Sequence, residues 1–226
     1  MLIRGLDILF SAVAIIILSP LLIFICFLLL LTGEGKVFYL QSRIGLKREE
    51  FNLIKFATML EDSPNIGSGE LTEKDDPRVL PVGRFLRASK INELPQLLNI
   101  LKGQMSFVGP RPQTKKYFSL YADDVKAALY NIKPGLTGIA SLVFRNEEEL
   151  FGIVQNPITF DEQILVPYKG KLEVWFSKNK SIFLYLKIIL LTILAVISPN
   201  KDIANLFFKN LPKRPSEIDI MFRKHK

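Results

Sequence analysis

Residues Ile8 to Leu31 run for 24 positions without a charged side chain, ILFSAVAIIILSPLLIFICFLLLL. A straight helix of that length reaches roughly 36 Å at about 1.5 Å per residue, enough for a hydrocarbon core of about 30 Å. Arg4 and Asp7 precede the run, and Glu34 and Lys36 come after it. A signal peptide is the competing assignment, but the run is too long and no small-residue cleavage site comes after it. Ser19-Pro20 lies in its middle, where proline loses the hydrogen bond from its own nitrogen and crowds the carbonyl of Ile16. A break there leaves two arms of 12 residues, each about 18 Å and too short to span. The run is then either a re-entrant hairpin or a proline-kinked spanning helix, and its physics leaves the two even. Basic residues lie on both sides, but Lys36, Arg43, Lys47 and Arg48 outweigh Arg4. That asymmetry favours the cytoplasmic side for the domain beyond the run.

The chemistry open to the chain is narrow. It has 226 residues with one cysteine, Cys26, and one histidine, His225. An intrachain disulfide, a multi-cysteine metal site and a histidine-based triad are therefore excluded. Lys and Arg number 30 against 22 Asp and Glu, a net charge of +8. Hydrophobic residues at 49% beside 23% charged residues fit one membrane segment joined to a basic domain, not a polytopic protein. The segments predicted are a membrane helix over 1–32, one compact domain over 33–200 and a basic tail over 201–226.

Within the domain, VFYLQSRIG and FNLIKFATM read as strands, the second carrying Lys55, and 63–76 reads as an exposed loop. Helical spacing marks 82–87 and 91–102, with Gly103 as a stop. KPGLTG at 133–138 predicts a type II turn. The apolar stretch 181–197, interrupted by Lys187, predicts an amphipathic helix that is buried or lies at a membrane interface. The tail carries seven Lys and Arg against three acids, with the apolar cluster Leu206, Phe207 and Phe208, and suits either solvent or an anionic leaflet. Asp161 and Glu162 read as surface acids. The fold class expected is α/β, mostly α.

The richest stretch is RFLRASKINELPQLLNILKGQMSFVGPRP at 84–112. Asn92 and Glu93 stand at the start of its helix, where unpaired N–H groups favour a carboxylate or a phosphate. Taken alone, a capping Asn and a dipole-complementing Glu are the commoner explanation. Arg84, Arg87 and Lys90 come before, and Pro110 and Pro112 flank Arg111 after. The prolines fix the backbone and remove two donors, which leaves the guanidinium to bind phosphate oxygens. A carboxylate among cations without histidine points to metal-assisted phosphoryl transfer.

In that order, Asp7 and Ser19-Pro20, FYLQSRIGLKREEFNLIKFATM, the 83–112 run, KPGLTG and SIFLYLKIILLTIL resemble the monotopic phosphoglycosyl transferases, the bacterial sugar transferases, over about residues 4–195. The resemblance implies a re-entrant helix broken at Ser19-Pro20 and a catalytic domain on the cytoplasmic face of the bacterial inner membrane. It also implies transfer of a sugar-1-phosphate from a UDP-sugar to undecaprenyl phosphate with Mg²⁺, releasing UMP and starting surface-glycan assembly. Glu93 is similar to the glutamate of the family's Asp-Glu pair, and Arg111 to the arginine of its Pro-Arg-Pro loop. Arg87, Arg145 and Lys55 resemble further basic positions of the site. Ala57 stands where the family's KFRTM pattern has arginine, and Asn92 stands where the family has the aspartate nucleophile that helps hold Mg²⁺.

An amide is neutral and a poor nucleophile. The alternatives are attack by Glu93, direct attack by the lipid phosphate with Glu93 as base, an inactive scaffold, or a substitution that traps a state. The reading adopted is an active transferase in which Glu93 and Mg²⁺ remain necessary. The segment 147–171, with Glu147, Glu148 and Glu149, is expected to choose the sugar or to join two chains as a homodimer. A nucleic-acid binder is disfavoured, because the aromatic residues sit in apolar runs and do not alternate with basic ones.

Overall fold

The computed structural model describes residues 2–67, 72, 75–145, 147–152, 154–197 and 203–219. Helix α1, Leu2–Leu31, is 30 residues long and continuous through Ser19 and Pro20. The expected break is therefore not an interruption of the helix. Pro20 cannot donate to the Ile16 carbonyl, and the Ser19 hydroxyl donates to it instead at 2.8 Å. The orphan that proline creates is satisfied one residue earlier.

One stripe of α1 lies on the domain from end to end. Ile3, Leu6 and Phe10 pack on the main core, Ala14, Ile15 and Leu18 on Leu53, Leu97, Ile100 and Met105, and Leu22, Ile25, Cys26 and Leu29 on Phe56 and Leu86. These positions recur every three or four residues, as one face of a helix must. The opposite side stays bare, with Ile16 71% and Leu31 85% exposed. Polar contacts select the stripe. Asp7 is buried and accepts from the Ser106 hydroxyl at 2.9 Å, the Phe107 N–H at 3.0 Å and the Tyr185 hydroxyl at 2.8 Å. Arg4 donates to the carbonyls of Ile100 and Leu101 at 2.6 and 2.8 Å.

Strands β1, Phe38–Ile44, and β2, Glu50–Phe56, form the predicted antiparallel hairpin, with Phe38 opposite Phe56. Helix α2, Pro81–Ala88, and helix α3, Gln96–Lys102, come next. Gly103 closes α3 at φ +86°, as a left-handed stop requires. The loop before α2 is less exposed than expected at its base: Asp76 and Arg78 form a buried pair at 2.6 Å, and Arg78 also donates to the carbonyls of Ser63 and Ile66. Its residues 68–71, 73 and 74 lie outside the described set.

Strand β3, Ser106–Val108, pairs in parallel with β4, Gly135–Thr137. Between them run α4, Lys115–Ser119, and α5, Asp123–Leu129. After β4 come α6, Ile139–Val143, α7, Glu147–Phe151, and α8, Pro157–Phe160. A π-helical turn over Asp161–Leu165 leads into α9, Val166–Asn179. Helix α10, Ile182–Ile197, buries Leu184, Tyr185, Ile188 and Leu191 and bares Phe183, Leu190, Ile193 and Ile197. It is apolar on both sides, and only one is covered. The mostly helical α/β expectation holds.

The chain after residue 202 is not merely a tail. Helix α11 is Ile203–Phe207, and Ile203, Ala204, Phe208 and Ile218 enter the main core. Phe208 packs edge-on against Trp175 at 5.8 Å, and Tyr168 donates to the Pro212 carbonyl at 3.0 Å. Leu206 and Phe207 remain exposed. The cluster is split by helical periodicity, which a reading of charge alone does not resolve.

Asp7→Ala leaves two hydroxyls and one backbone N–H without their buried acceptor. It is expected to reduce stability by about 2–4 kcal/mol, read as a lower thermal unfolding midpoint of the nanodisc-held protein. An unchanged midpoint would contradict the anchoring role.

Candidate active site

The site is built where two glycine-bearing loops meet backbone to backbone. Gly109 donates to the Thr137 carbonyl at 2.9 Å and Gly135 to the Pro110 carbonyl at 2.8 Å. A Cβ on Gly109, Gly135 or Gly138 would overlap the facing backbone of 133 or 109. The type II turn expected in KPGLTG is corrected: Gly135 is not among the glycines with positive φ, and it is glycine because a neighbouring chain passes where a side chain would be. The contact sets the direction of Pro110-Arg111-Pro112. Arg43 of β1 holds the same loop by donating to the Pro112 carbonyl at 3.1 Å.

Opposite this loop, α2 ends and the chain turns through Lys90 at φ +60° into a 3₁₀ turn, Ile91–Glu93. Asn92 and Glu93 thus occupy a turn ahead of α3, not its first residues. The Arg111 guanidinium lies 3.2 Å from Glu93 Oε1. Burial alone would raise the Glu93 carboxyl, but Arg111, Lys55 and Lys90 outweigh it and hold it down to about 2. Lys55 is driven well below the usual lysine range, first by burial and then by Arg43, with Glu93 acting the other way. Asn92 is 7% exposed, and its Oδ1 has no partner. Among the described residues no three Asp, Glu, Cys or His side chains gather as a metal group. Glu93 lines the cavity that begins here, whereas Asn92 is buried and is not among its lining residues.

A cavity of about 610 Å³ opens from this point. Of the residues expected from sequence, Glu93, Arg111, Arg87 and Arg145 line it. Lys55 reaches it through charge, as its coupling to Arg43, Glu93, Arg111 and Arg87 shows. Pro110 and Pro112 line a small neighbouring cleft with Arg111. Ser19 and Pro20 take no part in the cavity lining. Phe107, Leu136, Ile189, Ile193 and Val196 give the cavity an apolar wall continuous with the bare side of α10.

Among the lining residues, sequence reasoning missed Asp161, Lys169 and Glu173. Asp161 is not a surface acid: it is 3% exposed and lies 3.5 Å from Lys169. Its neighbour Glu162 does face outward, 3.9 Å from Lys116. Glu173 is 1% exposed, and burial raises its carboxyl to about 8 against the pull of the Arg111 backbone N–H and Lys169. The signal for Glu173 is a lone acid inside LEVWF; Asp161 and Lys169 have none beyond their chemistry.

The sequence matches the family model described as bacterial sugar transferase over residues 1–199. It is 36% identical over 142 residues to the UDP-N-acetylgalactosamine-undecaprenyl-phosphate N-acetylgalactosaminephosphotransferase of Aeromonas hydrophila, covering 62% of this chain and 33% of that protein. It is 33% identical to the undecaprenyl-phosphate glucose phosphotransferase of Komagataeibacter xylinus, over 84% of this chain and 35% of the relative. With the exopolysaccharide production protein ExoY of Rhizobium meliloti it shares 35% identity over 85% and 84% of the two chains. The chain therefore spans about a third of the first two relatives and most of the third.

Glu173 supplies a pH test. Its folded value of about 8 lies above the ordinary 4.5, so the folded state holds an extra proton between those values. Stability then falls as pH rises from about 5 to about 8, by up to about 1.4 kcal/mol per unit, and levels off at higher pH. Unfolding midpoints measured across pH 5–9 are expected to flatten in Glu173→Gln, and equal slopes for both proteins would refute the assignment.

Proposed function

The chain belongs to the bacterial sugar transferase family, and from that premise we propose that it transfers a sugar-1-phosphate from a UDP-sugar to undecaprenyl phosphate at the membrane surface, releasing UMP. The observation that carries this reading is the meeting of two chemistries in one cavity. A basic end gathers Arg43, Arg87, Lys90 and Arg111 around Glu93, and an apolar wall leads to the bare face of α10. A diphosphate suits the first and a polyprenyl chain the second.

In the proposed reaction an oxygen of the lipid phosphate attacks the β-phosphorus of the donor. The bond from that phosphorus to the bridging oxygen breaks, and UMP carries the electron pair away. Arg111 orients the phosphates, with Arg87 and Arg145 adding positive charge in the lining and Lys55, whose ammonium burial disfavours, standing behind them. The lipid phosphate is already an anion and needs little help from a base. A carboxylate held near 2 is a weak base and a weak nucleophile, so Glu93 serves to orient Arg111 and bind a cation, not to take a proton. Asn92 gives up the nucleophile, which makes a single displacement the consistent course. Glu93, ionised in the cavity lining, is the residue that would hold Mg²⁺, which takes few protein oxygens and completes its shell with phosphates and water. When bound, Mg²⁺ supplies charge neutralisation on the diphosphate.

Attachment is proposed as monotopic, with α1 bent at Ser19-Pro20 and re-entrant and the domain on the cytoplasmic face. Both ends of α1 contact the same domain, at Ile100 through Arg4 and at Leu86 through Leu29, which supports entry and exit by one face. The bare sides of α1 and α10 with Leu206 and Phe207 form the apolar contact, and a net charge of +8 suits an anionic leaflet. The second reading is an inactive scaffold, favoured by Asn92 and Ala57.

The test is UMP release by nanodisc-held protein from UDP-sugars, undecaprenyl phosphate and Mg²⁺. Turnover is expected, with Glu93→Ala and Arg111→Ala each slower by about 100-fold or more. Activity that appears only in Asn92→Asp would rule out the single displacement. Silence in both folded proteins across the panel would overturn the transferase reading in favour of the scaffold.

A further inference from the structure

The cavity lining carries a second polar group of residues, supplied by elements other than the Arg111 loop and the Glu93 turn. There the Lys169 ammonium, on α9, lies 2.6 Å from Glu147 Oε1 of α7 and 3.5 Å from Asp161 Oδ1 of the π-helical turn. The Tyr117 hydroxyl donates to Asp161. The ammonium fills the space between the two carboxylates, so a metal is not what this group receives. The Lys169 and Asp161 side chains are 13% and 4% exposed, which makes the arrangement a lining and not a solvated surface pair.

Glu173 lines this cavity too and supplies an independent observation. It is 1% exposed, its carboxyl accepts the Arg111 backbone N–H, and its Oε2 has no partner. A buried oxygen without a partner is unfavourable until a ligand meets it. The carboxylates and Tyr117 offer acceptors, and Lys169 offers donors in a fixed spacing. That alternation matches a ring bearing several hydroxyl or amide substituents, and it matches neither an apolar tail nor a second phosphate. The volume of about 610 Å³ accommodates a nucleotide sugar in one piece.

We propose that the Lys169, Asp161 and Glu147 end of the cavity is the subsite for the donor's sugar ring, where Lys169 and Asp161 hydrogen-bond its substituents and set which sugar is accepted. The assignment rests on the proposed use of a nucleotide sugar as donor. It places choice of sugar in α7, the π-helical turn and α9, the last of which meets the Arg111 loop through Glu173. Glu147 and Tyr117 hold the two reading groups in place.

The experiment compares nucleotide with nucleotide sugar on the full chain in nanodiscs. UDP, UDP-glucose, UDP-galactose, UDP-N-acetylglucosamine and UDP-N-acetylgalactosamine are titrated against the native protein, Asp161→Asn, Lys169→Met and the milder Tyr117→Phe. UDP affinity is expected to stay within about twofold in every variant. Affinity for the preferred UDP-sugar is expected to fall about tenfold in the first two and about threefold in the third, with a changed order of preference among the four sugars. Equal losses for UDP and UDP-sugar would place the nucleoside at this end, or show general damage, and overturn the proposal. Unchanged sugar affinities would overturn it as well while leaving the nucleotide-sugar reading intact. Native protein that binds neither UDP nor any UDP-sugar would end both.

Discussion

Asp7 is the contact on which the arrangement of membrane helix and site depends. A helix that is apolar on every side has no intrinsic preference for which stripe meets the domain, because each rotation buries similar area. A carboxylate satisfied by Ser106, Phe107 and Tyr185 breaks that degeneracy. Any other rotation strands it without partners, and a buried unpartnered charge is far less favourable than a misplaced leucine. Arg4, one turn earlier, binds the last turn of α3, the helix immediately after Asn92 and Glu93. The orientation of α1 and the position of the reacting groups are thus set by the same few polar atoms.

A second constraint acts on the phosphate side. Arginine alone is a flexible side chain, and its value in a site comes from a backbone that cannot drift. The close approach of Gly109 to Gly135 and Gly138, with Arg43 gripping Pro112, supplies that rigidity. The two prolines remove donors and rotational freedom from the residues either side of Arg111. Rigid loop and rigid turn together hold the guanidinium 3.2 Å from Glu93, so positive charge is in place before a ligand arrives.

Much of this is legible in the sequence, and the exceptions share a cause. The hairpin of β1 and β2, helix α2 and the stop at Gly103 come from local rules of alternation, periodicity and left-handed geometry. Glu93, Arg87 and Arg111 are legible because their spacing around one helix is local too. Asp161, Lys169 and Glu173 are not, since their meaning lies in burial against distant elements. The same holds for KPGLTG, where glycine is demanded by another loop and not by its own turn. At Ser19-Pro20 the missing donor is legible but its replacement, a hydroxyl one residue back, is not. In the last segment, Phe208 and Ile218 enter the core through tertiary packing that net charge conceals.

The asparagine at 92 acquires a physical sense from the charges around it. Lys55, Lys90 and Arg111 all pull on a single ionised carboxylate, Glu93. A second carboxylate next to it would compete for the same cations and, at short range, would raise one of the pair. With a neutral amide the centre keeps surplus positive charge, which under the proposed reaction would favour a diphosphate and a lipid phosphate. The amide also carries no formal charge to repel an incoming phosphate anion. In the proposed single displacement such a centre would gain in binding two anions together what it loses in covalent reactivity, because holding two reactants side by side lowers a barrier without any intermediate on the protein.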